Sequence, residues 1–123
     1  PRTLFPYTTL FRSGPSDEFL ELIYASASGL LAASEDEGFG LPLIEAAQKG
    51  LPILARDIPV FREVATQHAC YFTADDPRQL AAAVSSWVEK GFQPSSIDMP
   101  WLTWQQSADN LQHLLLDSPA KTF

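Results

Sequence analysis

Three short apolar runs, at residues 29–33, 52–55 and 70–72, alternate with segments of helical period, and this alternation constrains the fold more tightly than any other feature. Each run is continuous rather than polar at every second residue, so a strand made from it needs cover on both faces. Such strands, interleaved with helices, build an open parallel sheet flanked by helices. Ser16 followed by Asp17 and Glu18 marks a helix start, where a hydroxyl accepts an orphan N–H and acids meet the positive dipole end. Phe19, Ile23 and Ala27 then recur at four-residue intervals. Pro42 suits the first turn of a second helix, which Gly50 ends. Pro59 breaks the chain after the second run, and a short helix over 61–67 follows. Asp76 and Pro77 open another helix, with Leu80, Val84 and Trp87 or Val88 facing inward. Residues 91–100 read as a Pro- and Ser-rich loop, and Trp104, Ala108, Leu111 and Leu115 form the stripe of a last helix. Three strands are few for such a sheet. The expected fold is therefore α/β, a three-layer Rossmann-like half-domain with a short parallel sheet and helices on both faces.

The 123 residues suit one domain, and eight basic against fifteen acidic side chains give a formal charge of −7. That balance argues against a nucleic-acid partner. One cysteine, Cys70, excludes an internal disulfide framework and a cysteine-built zinc site. No apolar run reaches the ~18–20 residues that cross a bilayer. Residues 1–13 differ from the rest: they carry two arginines and no acid, and they show neither helical nor strand period. Residues 3–13 match the conceptual translation of a common sequencing adapter, so 1–13 are read as a non-native segment. Without Arg2 and Arg12 the remainder holds 6 basic and 15 acidic residues, net −9. The expected organisation is a partial domain over 14–117 with a frayed tail at 118–123, cut from a longer parent.

The chemistry concentrates between Glu35 and Ala47, where a strand's C-terminal end leads through Gly38, Phe39, Gly40 and Leu41 into a helix. Ligands of open α/β sheets bind at such edges. A helix start offers unpaired N–H groups and a positive dipole end to a phosphate. Gly38 and Gly40 allow turns and close approach. An ionised carboxylate only accepts hydrogen bonds, so Glu45 suits the vicinal hydroxyls of a ribose. Glu37 suits a sugar hydroxyl, or opposes charge developing at an anomeric carbon. None of this chemistry calls for a metal. Each feature also has a plain structural reading: Gly-Phe-Gly is a turn with an aromatic plug, and a glutamate in a first helical turn gains ~0.3–1 kcal/mol with no ligand at all.

The ordered string settles the balance. Glu37-Gly-Phe-Gly-Leu-Pro-Leu-Ile-Glu45 is an E-x7-E motif, preceded by Tyr24-Ala-Ser-Ala and Ala33-Ser34. It is followed by Gly50-Leu-Pro-Ile-Leu-Ala55, Glu63-Val64, Asp75-Asp76-Pro77 and Leu80-Ala81. This resembles the C-terminal donor-binding domain of the retaining GT-B glycosyltransferases, the glycosyl transferases group 1 kind, from about Asp17 to Phe72 and more weakly to Leu116. The resemblance implies a metal-independent, cofactor-free transferase that takes a nucleotide-diphosphate sugar. Glu37 would be the catalytic-side carboxylate beside the donor sugar. The amides of Phe39, Gly40 and Leu41, next to Gly38, would face sugar and diphosphate, and Glu45 would hold the ribose. It also implies a glycan or lipid-linked acceptor held by an N-terminal domain that this chain lacks. The first half of the donor domain, with its diphosphate-binding Arg and Lys, is lacking too, and Lys49 and Arg56 do not stand at those positions. The chain alone is thus expected to be inactive. A cytoplasmic parent, peripherally associated with the inner membrane face, and mannose transfer in surface-polysaccharide assembly complete the expectation.

Two rival classes are distinguishable. A dinucleotide-binding oxidoreductase would use Gly38-x-Gly40, with Asp57 as the ribose-binding acid. Leu43, however, stands where close helix–strand packing requires a small residue, and that reading gives Glu37 and Glu45 no task. A non-catalytic interaction module would present Trp87, Trp101 and Trp104 as an aromatic patch, although their helical spacing with leucines favours a core. His68, His113 and Cys70 read as structural.

Overall fold

The computed structural model describes residues 16–117, so the expectations for 1–13 and 118–123 lie outside the described residues. The elements run α1 (Asp17–Ser26), β1 (Leu30–Ala32), α2 (Leu41–Gln48), β2 (Ile53–Arg56), α3 (Pro59–Ala65), β3 (Cys70–Phe72), α4 (Pro77–Glu89) and α5 (Trp104–Asp117). The three strands form one parallel sheet in the order β1-β2-β3, pairing Leu30 with Ile53 and Leu54 with Cys70.

Side chains alternate across a strand, and the central one shows why both faces need cover. Ile53 and Ala55 enter one cluster with Leu43, Ala46, Phe61 and Ala65 from α2 and α3. Leu54 enters the other with Phe72 and Trp87, against α4. The chain is thus a three-layer α/β half-domain of Rossmann-like build.

Local chemistry sets the helix ends. Ser16 Oγ accepts the Phe19 N–H at 3.2 Å, and Asp76 Oδ1 accepts that of Gln79 at 2.9 Å. Past α2, Gly50 turns left-handed at φ 67°, while Gly50 N–H reaches the Ala47 carbonyl and Leu51 N–H that of Ala46. Gly91 repeats the pattern after α4, where the Phe92 ring stands edge-on to Trp87 at 5.0 Å. Both are Schellman ends, the second with the customary apolar contact.

Two expectations, at Pro59 and at the last helix, need correction. Pro59 does not break the chain before a helix at 61–67: it is the first residue of α3, where a missing N–H is harmless. The expected loop over 91–100 is present and also carries core: Met99 is buried, and buried Ser96 donates to the Leu51 carbonyl at 2.6 Å. The stripe of α5 is uncovered: Trp104 is 85% exposed, Leu111 57% and Leu115 71%. A periodic stripe shows only that a helix has an apolar face, and among the described residues no element covers this one. On α4 the inner aromatic is Trp87, with Val88 turned outward. Helix α1 is likewise only half covered, with Phe19 40% exposed and Ile23 half-buried. An ion pair between Glu21 and Lys49 ties it to α2.

Candidate functional site

Residues 33–40 carry the chain from β1 to α2 at the C-terminal edge of the sheet. Gly40, the N-cap of α2, is buried and left-handed at φ 68°. A Cβ on it would lie 3.2 Å from Val64 Cγ2. Glycine is needed there for its backbone and for the tight approach of α3. Gly40→Ala is expected to cost about 1–2 kcal/mol for the left-handed backbone alone, read as a fall in urea midpoint. Gly38 is different: its φ is not left-handed and a Cβ on it would meet nothing within 4 Å. Gly38 lies in a bend that does not need glycine's left-handed backbone, with open space beside it. Among the described residues no side chain caps the start of α2, whose first turn also holds Pro42.

The predicted residues do not share one hollow. Gly38, Phe39, Leu41 and Glu45 line an open hollow of about 860 Å³, walled by α3 and by residues 100–104. Glu37 lines a second, of about 600 Å³, between α1 and β1. The first turn of α2 stands between the two, Leu41 facing the first and Pro42 the second. Spacing along the chain placed both carboxylates at one helix entrance, but the loop brings Glu37 in from the α1 side of that turn. Glu45 is exposed, Glu37 is half-buried, and Phe39 is 78% exposed at the rim. Gly40 supplies the turn between them and lines neither hollow.

Tyr24 links the two hollows. It lines the Glu37 hollow, and its hydroxyl donates to Glu45 Oε2 at 2.6 Å. Burial pushes the Tyr24 hydroxyl well above the usual phenol range, and its bond to the Glu45 carboxylate pushes the same way. Sequence reasoning placed Tyr24 only at the end of a helix. No local spacing signals a contact spanning 21 residues.

Arg56, at the end of β2, holds the edge together. Its Nε donates to the Ala33 carbonyl and its Nη1 to that of Ala74, both at 3.0 Å, while its guanidinium lies 5.2 Å from the Phe72 ring centre. One side chain thus binds the loops leaving β1 and β3. Asp57 takes the forked guanidinium of Arg62 at 2.7 and 2.8 Å, and Arg62 stacks 3.9 Å above the Tyr71 ring. The Arg62 hydrogen bonds hold the Asp57 carboxyl below the usual range. Both Asp57 oxygens are thus paired with Arg62, which gives this acid a structural partner within the chain. Trp87 is core while Trp104 is exposed and Trp101 is 41% exposed, so the three tryptophans form no common patch.

Among the described residues no helix is long and apolar enough to cross a membrane. The sequence pattern of the family described as glycosyl transferases group 1 matches residues 8–98. The chain is similar to the serotype-specific mannosyltransferase WbdA of Escherichia coli, 51% identical over 109 residues, covering 85% of this chain and 13% of that protein. It is also similar to the O-antigen chain mannosyltransferase RfbU of Salmonella typhimurium, 42% identical over 67 residues, covering 54% of this chain and 19% of that protein. The chain therefore spans a small fraction of the length of the relatives it matches. On the extent of the family match and the identity over most of its length, this chain belongs to the glycosyl transferases group 1 family.

Proposed function

We propose that the chain is the donor-binding part of a longer hexosyltransferase that moves mannose from a nucleotide-diphosphate sugar to a glycan or lipid-linked acceptor, with the anomeric configuration retained. The observation that carries this reading is the 51% identity with a protein named as a mannosyltransferase. The geometry supports a division of labour across the first turn of α2. The nucleotide lies on the Glu45 side, where the carboxylate accepts from ribose hydroxyls. The diphosphate crosses the start of α2, where the N–H groups of Phe39, Gly40 and Leu41 and the dipole favour negative charge. The sugar lies on the Glu37 side, where a half-buried carboxylate opposes positive charge growing at the anomeric carbon. No metal or cofactor takes part. A further domain supplies the acceptor site and covers the exposed face of α5, and the parent works in the cytoplasm at the inner face of the membrane. The isolated chain is inactive.

The test is a segment exchange. This chain replaces the matching segment of the Escherichia coli relative, and transfer from GDP-mannose is followed. The exchange is expected to keep transfer. Within it, Glu45→Ala is expected to raise the donor KM, and Glu37→Ala to lower kcat by about 100-fold or more, the loss typical of a missing transition-state contact. Loss of transfer on exchange, or unchanged kinetics in both variants, contradicts the proposal.

A further inference from the structure

We infer that Tyr24 is the positioning residue of Glu45: its hydroxyl, donating to Glu45 Oε2, holds the carboxylate in the orientation that meets the donor. The inference rests on the reading of Glu45 as a donor-holding group and adds a residue from a different element to that site.

Three observations on the chain itself carry it. Glu45 is exposed on α2, and an exposed glutamate left to itself samples several rotamers, whose restriction on ligand binding weakens affinity. The Tyr24–Glu45 contact, at 2.6 Å, is short for a hydroxyl–oxygen bond and is charge-assisted, the stronger class of hydrogen bond. The hydroxyl sits on a half-buried ring, so the anchor is firmer than the exposed group it holds. Burial also keeps the phenol protonated far into alkaline solution, so it acts as a donor throughout the range in which a transferase works. Each carboxylate oxygen has more than one acceptor direction, so Oε1 and the remaining capacity of Oε2 stay available. The carboxylate of Glu21 acts on the Tyr24 hydroxyl too, but only through space, and its own bond goes to Lys49.

The experiment compares the 123-residue chain with Tyr24→Phe, Glu45→Gln and the double variant, using GDP-mannose as probe and NMR as readout. Tyr24→Phe keeps the ring and removes the bond. Side-chain 13C relaxation at Glu45 is expected to show a more mobile carboxylate, with the amide spectrum of the sheet unchanged. The Kd for GDP-mannose is expected to weaken about three- to tenfold, the worth of one hydrogen bond. The double variant is expected to bind no more weakly than Glu45→Gln alone, because Tyr24 acts through that carboxylate. In the reciprocal direction, Glu45→Gln is expected to bring the Tyr24 tyrosinate absorbance in at lower pH, a readout that survives even if Tyr24→Phe folds poorly. Unchanged Glu45 mobility in Tyr24→Phe, or additive losses in the double variant, overturns the inference. If Glu45→Gln weakens binding and Tyr24→Phe does not, the positioning role alone fails. If Glu45→Gln leaves binding unchanged, the reading of Glu45 fails, and the inference with it.

Discussion

Phe61→Ala is expected to destabilise the domain by about 3–5 kcal/mol, the range for removing a buried phenylalanine. Phe61 is 1% exposed and joins α3 to the cluster of Leu43, Ile53 and Ala55 beneath the sheet. Its ring also supports the site: Cδ1 would lie 3.7 Å from a Cβ on Gly40, directly under the turn into α2. Small domains hold about 5–15 kcal/mol in total, so this variant approaches the unfolding threshold. Phe61→Leu, which keeps most of the volume, is expected to lose under about 1.5 kcal/mol. Urea titration followed by circular dichroism separates the two. A Phe61→Ala loss below about 1 kcal/mol would mean that the ring is not packed as described.

Gly29→Ala is expected to be harmful too, for a different reason. The residue precedes β1, and its φ is not left-handed, so the objection is space. A Cβ there would fall 2.5 Å from Trp87 Cη2 and 3.2 Å from the Pro52 carbonyl oxygen. Backbone cannot yield easily, and Trp87 is wedged among Leu54, Phe72 and Phe92 with 5% of its surface exposed. Overpacking of this kind costs about 1–3 kcal/mol. Trp87 is the one buried tryptophan among the described residues, so its displacement should shift the emission of the chain to the red. Trp87→Phe in the same chain should relieve the clash, making the double variant more stable than additivity allows. A Gly29→Ala chain with unchanged emission and stability would show that the strand can move away.

The sheet was legible in the sequence because its evidence is local. Ile53, Leu54 and Ala55 are apolar without alternation, which only a two-sided burial explains, and the glycines and prolines punctuate the helices close to where they end. The residues of the E-x7-E segment were legible as well, and the family match covers them. The relation between its two carboxylates was not. Spacing says that Glu37 and Glu45 flank one helix entrance, but which side of the first turn each one faces depends on how the loop packs against α1 and α3. Tyr24 and Arg56 were missed as site residues because their bonds reach Glu45, Ala33 and Ala74, each at least 18 positions away. The α5 stripe was legible as an apolar face, but not the place of its cover. Period reports an apolar face, and nothing local says whether its cover lies within the same 123 residues.

The central claim is that the donor crosses the start of α2 from Glu45 towards Glu37. The most direct measurement is an amide-shift map of the uniformly labelled chain titrated with GDP-mannose. The account predicts that the largest changes fall on Glu37, Gly38, Phe39, Gly40, Leu41 and Glu45, on both sides of that turn, and that they shrink in Glu45→Ala. Changes confined to α4 and α5, with residues 37–45 silent, would contradict it.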